Sequence, residues 1–466
     1  MSLEVDRTSS RSHSHHSQAE SFLSNNPHGN TITGNSYLQT YRADEPANKE
    51  RLGTSSTSAT AMSIITIMIG AGVLILPQQF NKLGLPLGSL LLVVSCWTSA
   101  YLSHTMNEAI ERVEERAGKV VGTLDDLALA CFGLIGKWVA QFLLRGFILG
   151  ATACYVVLIG RNLEYIANPP NYRGWVLLSS GLFLLTAFLK SAKLLEKVSI
   201  IGVICSAVYA FPIVIGSVQA HFDPDIPPPS DMWRIGGWYG FTLPMEQLLP
   251  SFGLFLFGFG PIEVIATARR NMADRKRMPA AITGAHVATG AFYWLVGALG
   301  AWGFGDTVLG NVTESMRSSH GKWATGFFLA FAVALNLMVT IPISLYCFFE
   351  TLEASRKLPL ALDSALRVSV IAFCACIGLF LPYFMQVLQI FSSTLTVPLV
   401  LFVPLACGIK SAHDHGQSYS IKRWTLDIIL VIFGIGCFII GLTDAVNDLI
   451  HEMAKDAESA LLAQEI

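Results

Sequence analysis

Long stretches of the chain contain no charged residue. None lies between Arg277 and Asp306, and none lies between Arg367 and Lys410. A helix needs about 20 mostly apolar residues to cross a bilayer. Charged residues make up 14% of the chain, against about 25% in typical soluble proteins. The sequence therefore predicts an all-α polytopic membrane protein with about eleven transmembrane helices. The predicted spans are residues 57–80, 86–106, 138–160, 174–190, 198–220, 247–268, 280–303, 323–348, 366–384, 387–409 and 425–445.

The loops between these spans alternate in charge. "RVEERAGK" and "RRNMADRKRMP" are basic, whereas "HFDPDIPPPSDMWRIGGWYG" holds one Arg and three Asp. Because Lys and Arg favour the cytosolic side of a membrane, we expect a cytosolic N-terminus. Residues 1–50 are rich in Ser, His and Asn, which predicts a disordered cytosolic tail. Residues 51–445 then form the membrane domain, and residues 446–466 form a short C-terminal tail.

The composition also limits the kind of partner and chemistry. A net charge of −2 gives no electrostatic basis for binding nucleic acid. The nine cysteines are scattered and form no pair of CxxC motifs, so we expect neither a metal site nor another cofactor. HExxH and GxxxxGK[ST] motifs are missing from the sequence. These observations argue against an enzyme and against an ATP-driven pump.

Helix-breaking residues interrupt two of the predicted spans. The first span includes "MIGAGVLILPQQFNKLGLP", in which a Gly-Ala-Gly triplet precedes Pro77. The sixth includes "SFGLFLFGFGPIEVIATARRN", in which Gly260 is followed by Pro261. Backbone groups at membrane depth must be hydrogen-bonded or must line a cavity. Either these segments are small-residue packing surfaces, or they are discontinuous helices that bind a solute.

The positions of the two interruptions favour a transporter. The sixth span follows the first by five spans, an odd number, so the two halves of the chain insert with opposite topology. Paired interrupted segments in corresponding positions of two halves are typical of the midplane site of a secondary transporter.

The exposed backbone at such breaks suits a small zwitterion. N–H groups at the start of a half-helix attract a carboxylate, because the helix dipole is positive there. Unwound carbonyls around Phe257 and Gly258 can accept from an ammonium group. The predicted N–H donors are Gly70, Ala71, Gly72 and Val73.

Four stretches together resemble the amino-acid/auxin permease superfamily, and the proton-coupled amino-acid transporters within it are the most similar. They are "IGAGVLILPQQFNKLGLPLG", "LGATACYVVLIGRNL", "SFGLFLFGFGPIEVIATARRNM" and "WGFGDTVLGNVTESM". The resemblance covers most of residues 55–445. It implies a LeuT-type fold of two inverted five-helix repeats plus one further helix. It also implies transport of amino acids, usually coupled to protons and sometimes to sodium.

The same resemblance implies roles for individual residues. The triplet at residues 70–72 matches the motif that contacts the substrate carboxylate, and Tyr155 matches an aromatic that faces the site. Phe257, Gly258 and Phe259 match the break in the sixth span. Thr340 and Ser344 lie where sodium-coupled relatives bind their ion, and their spacing of four puts both hydroxyls on one helix face. Many relatives carry a polar residue directly after the second break, where this chain has Gly-Pro.

Two further residues are candidates for special roles. Glu263 follows the second break directly, and a carboxyl in a low-dielectric site can carry a proton. We therefore take Glu263 as the candidate for proton coupling, and the alternative is a structural hydrogen bond. Asn311 begins an Asn-Val-Thr glycosylation motif in a loop predicted to lie outside.

The sequence thus predicts a secondary active transporter of amino acids, working by proton-coupled symport and alternating access. One alternative is an amino-acid sensor with little transport, and another is a sodium-coupled or facilitative carrier. The expected partners are an amino acid, H⁺ or Na⁺, and membrane lipid. The expected location is the plasma membrane or the vacuolar or lysosomal membrane.

Overall fold

The computed structural model describes residues 53–167, 171–188, 204–205, 208, 210–224, 226, 245–318, 324–353 and 359–462. Helices account for almost all of these residues. The predicted tail at residues 1–50 lies outside the described residues. The helices are α1 (Thr57–Met68), α2 (Leu76–Leu83), α3 (Leu85–Ala117), α4 (Leu124–Ile166), α5 (Tyr172–Ala187), α6 (Ala210–His221), α7 (Met245–Gly258), α8 (Ile262–Asn271), α9 (Met278–Phe304), α10 (Val312–Ser318), α11 (Ala324–Glu353), α12 (Leu360–Phe380), α13 (Phe384–Phe391), α14 (Val403–Asp414) and α15 (Ile421–Leu462).

The first predicted span consists of two helices joined by a break. The Ser56 hydroxyl caps α1 by accepting a hydrogen bond from the Ala59 N–H at 3.2 Å. After Met68 the chain leaves the helix and resumes as a 3-10 turn over Ala71–Ile75, which leads into α2. The two halves bend by 54°. Pro77 lies in the first turn of α2, where its missing N–H has no helical partner to lose.

The sixth predicted span is broken as well. Helix α7 ends at Gly258 and α8 begins at Ile262. The link contains Gly260 and Pro261, and neither residue favours a continuous helix. The chain therefore has a helix break in both segments where glycine and proline predict one.

All eleven predicted spans overlap a described helix, and the polytopic all-α class is confirmed. Within the described ranges, seven helices are individually long and apolar enough to cross a membrane. Counting the bent α1–α2 pair as one span gives eight. The other predicted spans coincide with short or interrupted helices, such as the 16 residues of α5 and the broken pair α7–α8.

The helices form two groups in contact. Helix α9 packs against α1, α2, α3 and α6, whereas α4 packs against α5, α11, α12 and α13. Glycines bring α9 close to α2, because a Cβ on Gly297 would lie 2.6 Å from Phe80, and one on Gly300 would lie 2.4 Å from Pro77. Large apolar side chains such as Leu90 on α3 remain exposed, as a lipid-facing surface requires.

Two features differ from the sequence-based expectation. The tenth span is not a regular α-helix, because π-helical turns cover Ser392–Thr396 and Pro398–Phe402. The Ser392 hydroxyl donates to the Gly253 carbonyl of α7 at 2.6 Å. The last helix continues to Leu462, so residues 446–462 of the predicted C-terminal tail are helical and continue the last predicted span.

Candidate functional site

The two helix breaks lie against each other. A Cβ built on Gly72 would lie 3.2 Å from the Cα of Gly258 and 3.7 Å from the ring of Phe257. Glycine permits this approach because it has no side chain to hold the two backbones apart. The structure therefore brings together the central residues of both predicted binding segments.

A tyrosine from α9 joins the two breaks. The buried Tyr293 hydroxyl donates to the carbonyl oxygen of Met68, the last residue of α1. The same hydroxyl lies 3.2 Å from the carbonyl oxygen of Gly258, the last residue of α7. Carbonyls at a helix end have lost their intrahelical donors, and the single Tyr293 hydroxyl lies within reach of both helix ends. Tyr293 was not predicted from the sequence. The signal that could have indicated it is a tyrosine in a charge-free span, because a buried tyrosine hydroxyl needs a hydrogen-bond partner.

Backbone donors are present at the start of the first break. Gly70 is extended, with φ −121° and ψ −151°, and its N–H turns back to the Met68 carbonyl at 2.9 Å. The Val73 N–H donates to the Gly70 carbonyl at 3.3 Å, so Val73 is already used within the turn. Ala71 and Gly72 are the first two residues of the 3-10 turn, where the backbone N–H groups have no carbonyl within the turn as a hydrogen-bond acceptor. The Ala71 side chain lies outside the described residues.

Helix α4 brings aromatic side chains to the same place. A Cβ built on Gly70 would lie 3.6 Å from the Tyr155 hydroxyl. Two turns earlier, the Phe147 ring packs on the Phe257 ring at a centroid distance of 5.9 Å. Helix α4 therefore contacts the first break through Tyr155 and the second through Phe147.

Hydroxyl groups hold the carbonyls of the second break. Tyr293 reaches the Gly258 carbonyl, and the Ser99 hydroxyl of α3 donates to the Phe259 carbonyl. Each carbonyl has two lone pairs, so one acceptor position remains on each oxygen. The Phe259 ring is buried and packs against Tyr293 at 5.0 Å between centroids. Its ring supports the break from the core side.

The residues proposed for ion coupling are described in part. The Thr340 hydroxyl on α11 donates to the Asn336 carbonyl at 2.9 Å and lies 3.3 Å from the Asn336 side-chain oxygen. The backbones of Glu263 and Ser344 lie in α8 and α11, but their side chains fall outside the described residues. The spacing of Thr340 and Ser344 on one helix still places them on one face.

The glycosylation candidate is buried. Asn311 is 1% exposed, and its side-chain oxygen accepts from the Thr313 N–H at 3.0 Å. A glycan on this side chain requires another arrangement of the loop, because a sugar cannot fit where no surface is exposed. Modification of Asn311 stays a prediction.

An ionic network lies at the predicted cytosolic end of the bundle. The buried Arg269 of α8 lies 3.3 Å from Glu114 of α3 and donates to the Asn107 side chain at 2.9 Å. Arg275 lies 3.9 Å from the same Glu114. The contacts connect the second broken helix to α3.

A second network lies at the opposite end. Arg161 at the end of α4 lies 3.7 Å from Glu164 and 3.9 Å from Glu314 of α10. It also donates to the Pro382 carbonyl at 3.1 Å. Burial raises the pKa of the Glu314 carboxyl, and the Arg161 and Arg317 guanidinium groups oppose that shift.

Comparison with known proteins identifies the family. The family model described as transmembrane amino acid transporter protein matches residues 53–446. "Amino acid transporter ANT1" of Arabidopsis thaliana is 24% identical over 313 residues, which cover 66% of this chain and 70% of that protein. "Lysine histidine transporter-like 3" of the same plant is 23% identical over 84% of this chain and 89% of its own length.

A solved transporter shows the same fold. The inward-facing conformation of Mhp1 superimposes with a TM-score of 0.55 at 13% identity, covering 87% of this chain and 92% of that one. Mhp1 has the LeuT-type fold, so the fold implied by the sequence motifs is confirmed. The family model confirms the resemblance to the amino-acid/auxin permeases. The chain belongs to the transmembrane amino acid transporter protein family.

Proposed function

We propose that this protein carries an amino acid across a membrane by proton-coupled symport and alternating access, with the substrate at the junction of the two helix breaks. The contact between Gly72 and Gly258 carries the proposal. That contact brings free backbone donors from one broken helix beside carbonyl acceptors from the other. A zwitterion needs both kinds of group within a few ångströms, and the junction supplies them without a charged side chain.

In this proposal, one pole of the substrate binds at each break. The carboxylate accepts from the N–H groups at residues 71 and 72, at the positive end of the helical segment that continues into α2. The ammonium donates to free acceptor positions around Phe257 and Gly258. Tyr155, which lies beside Gly70, closes the first break, and Phe257 meets the apolar part of the substrate.

Proton coupling is assigned to Glu263. It is the second residue of α8, so a change in its charge acts at the start of the helix that follows the break. The alternative coupling ion is sodium, with Thr340 and Ser344 of α11 as hydroxyl ligands. A proton gradient and a sodium gradient separate these two cases.

For alternating access, we infer a movement of one helix group against the rest. Helices α1, α2, α3, α7, α8 and α9, which include both broken helices, rock against the group built around α4. At the predicted cytosolic end, the backbone at Ser55 is bonded to the chain beyond α8: its N–H donates to Asn271 at 3.0 Å, and its carbonyl accepts from Ala273 at 2.9 Å. These bonds and the Arg269–Glu114 contact join parts of the same moving group, so they hold α1, α3 and α8 together as the group rocks.

The orientation proposed from the loop charges places the N-terminus in the cytosol. The membrane is the plasma membrane or the vacuolar or lysosomal membrane. Protease protection of an N-terminal tag in sealed vesicles tests this orientation.

Uptake by reconstituted protein tests the function. Liposomes are given a panel of labelled amino acids with and without an inward proton gradient, and with a sodium gradient as the alternative. Uptake raised by the proton gradient, lost in Gly72→Leu and uncoupled from protons in Glu263→Gln is the expected result. Specific binding without uptake of any amino acid contradicts transport and favours a sensor.

A further inference from the structure

A buried histidine lies next to the second break. His286 of α9 is 1% exposed. Its Nδ1 lies 2.8 Å from the Ile282 carbonyl oxygen, and its Nε2 lies 3.1 Å from the Ser99 hydroxyl. The same hydroxyl donates to the carbonyl of Phe259 inside the break. A titratable ring on α9 is thus joined by one hydroxyl to the unwound backbone.

These contacts need more protons than a neutral histidine supplies. The Ile282 carbonyl only accepts, so Nδ1 carries a proton, and a neutral ring then has a bare Nε2 that also only accepts. The single Ser99 proton faces two acceptors, Nε2 and the Phe259 oxygen, and can bond one of them. An imidazolium resolves the conflict, because Nε2–H donates to Ser99 while Ser99 donates to Phe259.

We propose that His286 is a second proton-responsive group beside Glu263, and that it controls the geometry of the second break through Ser99, an inference that rests on the proposed proton-coupled transport. When His286 is protonated, Ser99 holds the Phe259 carbonyl and the break is fixed for substrate. When His286 loses its proton, Ser99 turns to Nε2 and releases the carbonyl. His286 is a positioning residue, since it acts on the backbone and not on the substrate.

The surroundings of His286 contain further polar groups. The hydroxyls of Ser103 and Thr289 are buried and have no hydrogen-bond partner within the part of the chain that the structure describes. Thr289 follows His286 by three residues on α9, and Ser103 follows Ser99 by four residues on α3, so each shares a helix face with its neighbour. Hydroxyls can both donate and accept, which is what transfer of a proton to His286 requires.

The titratable groups of α3 differ in how they face the ring. His104 is near enough for its charge to act on His286, and Cys96 donates its thiol to the His286 carbonyl at 3.3 Å. Tyr101 and Glu108 turn to α15, where their partners are a carboxylate and a guanidinium group.

The other neighbouring elements keep their charges farther away. Helix α1 has no titratable side chain. His221 of α6 stacks on a tryptophan sixteen residues farther along α9, about 24 Å away by the helical rise. Lys82 of α2 lies two residues after Phe80. Phe80 packs against Gly297 of α9, which is eleven residues beyond His286. The basic turn Arg275–Arg277 precedes α9, and Glu263 of α8 has a side chain outside the described residues.

Hydrogen–deuterium exchange tests this link without any need for transport. The protein in lipid nanodiscs is compared at about pH 4 and about pH 8, well below and well above the usual histidine pKa. Exchange of a peptide covering residues 256–264 is corrected for the intrinsic pH dependence of amide exchange. The variants are His286→Gln and Ser99→Ala. The control is His104→Gln, because His104 bonds to Thr283 and not to the break.

We expect the wild-type break to exchange about fivefold more slowly at the lower pH, the effect of one added hydrogen bond. This difference persists in His104→Gln and is lost in His286→Gln and in Ser99→Ala. If His286→Gln does not fold, the pH effect in Ser99→Ala, compared with wild type and His104→Gln, tests the inference by itself. An equal pH effect in all four proteins, or none in the wild type, overturns the inference. Amino-acid uptake by the same wild-type preparation is scored separately, so its failure counts against the proposed function and not against the exchange result.

Discussion

The Tyr293 hydroxyl lies 3.2 Å from the carbonyl oxygen of Gly258, so α9 is tied directly to the second helix break. The same hydroxyl donates to the Met68 carbonyl at the first break. Tyr293→Phe keeps the ring and removes both contacts. Since a net hydrogen bond is worth about 1 kcal/mol, we expect the KM for the substrate to rise roughly fivefold or more. Initial rates of uptake over a range of substrate concentrations give the KM.

Tyr172→Phe is the matched control for this change. The Tyr172 hydroxyl also donates to a helix carbonyl, that of Gly378 at 2.7 Å, but it lies away from both breaks. Tyr172→Phe also loses one hydrogen bond of this kind. We expect the stability of the variant to fall while its KM for the substrate stays the same as in wild type. Equal KM values for Tyr293→Phe and wild type contradict a positioning role for Tyr293.

The close approach at Gly72 predicts intolerance of even one methyl group. In Gly72→Ala the new Cβ lies 3.2 Å from the Gly258 Cα, and this neighbour is backbone that must shift. Overpacking costs about 1–3 kcal/mol, so we expect uptake to fall about tenfold or more. Gly181→Ala on α5 is the control, because a Cβ there meets nothing within 4 Å. Wild-type uptake by Gly72→Ala would show that the two breaks need not touch.

The buried Arg269 pair predicts a stability difference at the predicted cytosolic end. Arg269→Gln leaves the Glu114 carboxylate with the longer contact to Arg275 and a hydrogen bond from the Val121 N–H. Removing one partner of a buried pair costs about 3–5 kcal/mol, so we expect a clearly lower thermal unfolding midpoint in detergent. Arg277→Gln removes an exposed pair with Asp274 and is expected to change it little. The same small change in both variants would contradict a structural role for the Arg269 network.

Glu314 predicts a pH-dependent stability term. Burial raises its pKa in the folded protein, so the folded state binds the proton more tightly than the unfolded state. The contribution of Glu314 to the free energy of unfolding is therefore present below the ordinary glutamate pKa. It is lost as pH rises through the raised pKa of the folded protein. The side chain is 36% exposed, so the effect is small.

The matched change for this term is Glu314→Gln, which stays neutral at every pH. As pH rises, the unfolding midpoint of Glu314→Gln is expected to increase relative to that of wild type. At acidic pH the two midpoints are expected to become equal. A difference that does not vary with pH contradicts the assignment.

The sequence located both helix breaks correctly, because glycine and proline act on the backbone where they stand. It also predicted that the two breaks, which contain Gly72 and Gly258, form one site, since paired breaks in an inverted repeat meet at the midplane. Tyr293 and the Ser99–His286 pair were missed for a physical reason. Their partners come from other helices, and apolar periodicity does not report which distant carbonyl a hydroxyl will reach.

The last helix continues beyond the end of the last predicted span. Charged residues become frequent from Asp444 onward, and the fall in hydropathy there marks the predicted end of the span. The stretch "VNDLIHEMAKDAESALL" is nevertheless rich in Ala, Leu, Glu and Lys, which favour a helix in water as well. The helix therefore continues to Leu462.

Counterflow is the measurement that tests the central claim most directly. Liposomes containing the protein are preloaded with an unlabelled amino acid and diluted into a trace of the labelled one, with no ion gradient. If the junction of the two breaks carries the substrate, wild-type protein accumulates the label transiently, and Gly72→Leu does not. Specific binding of the amino acid without any counterflow would contradict transport, and equal counterflow in Gly72→Leu would place the substrate elsewhere.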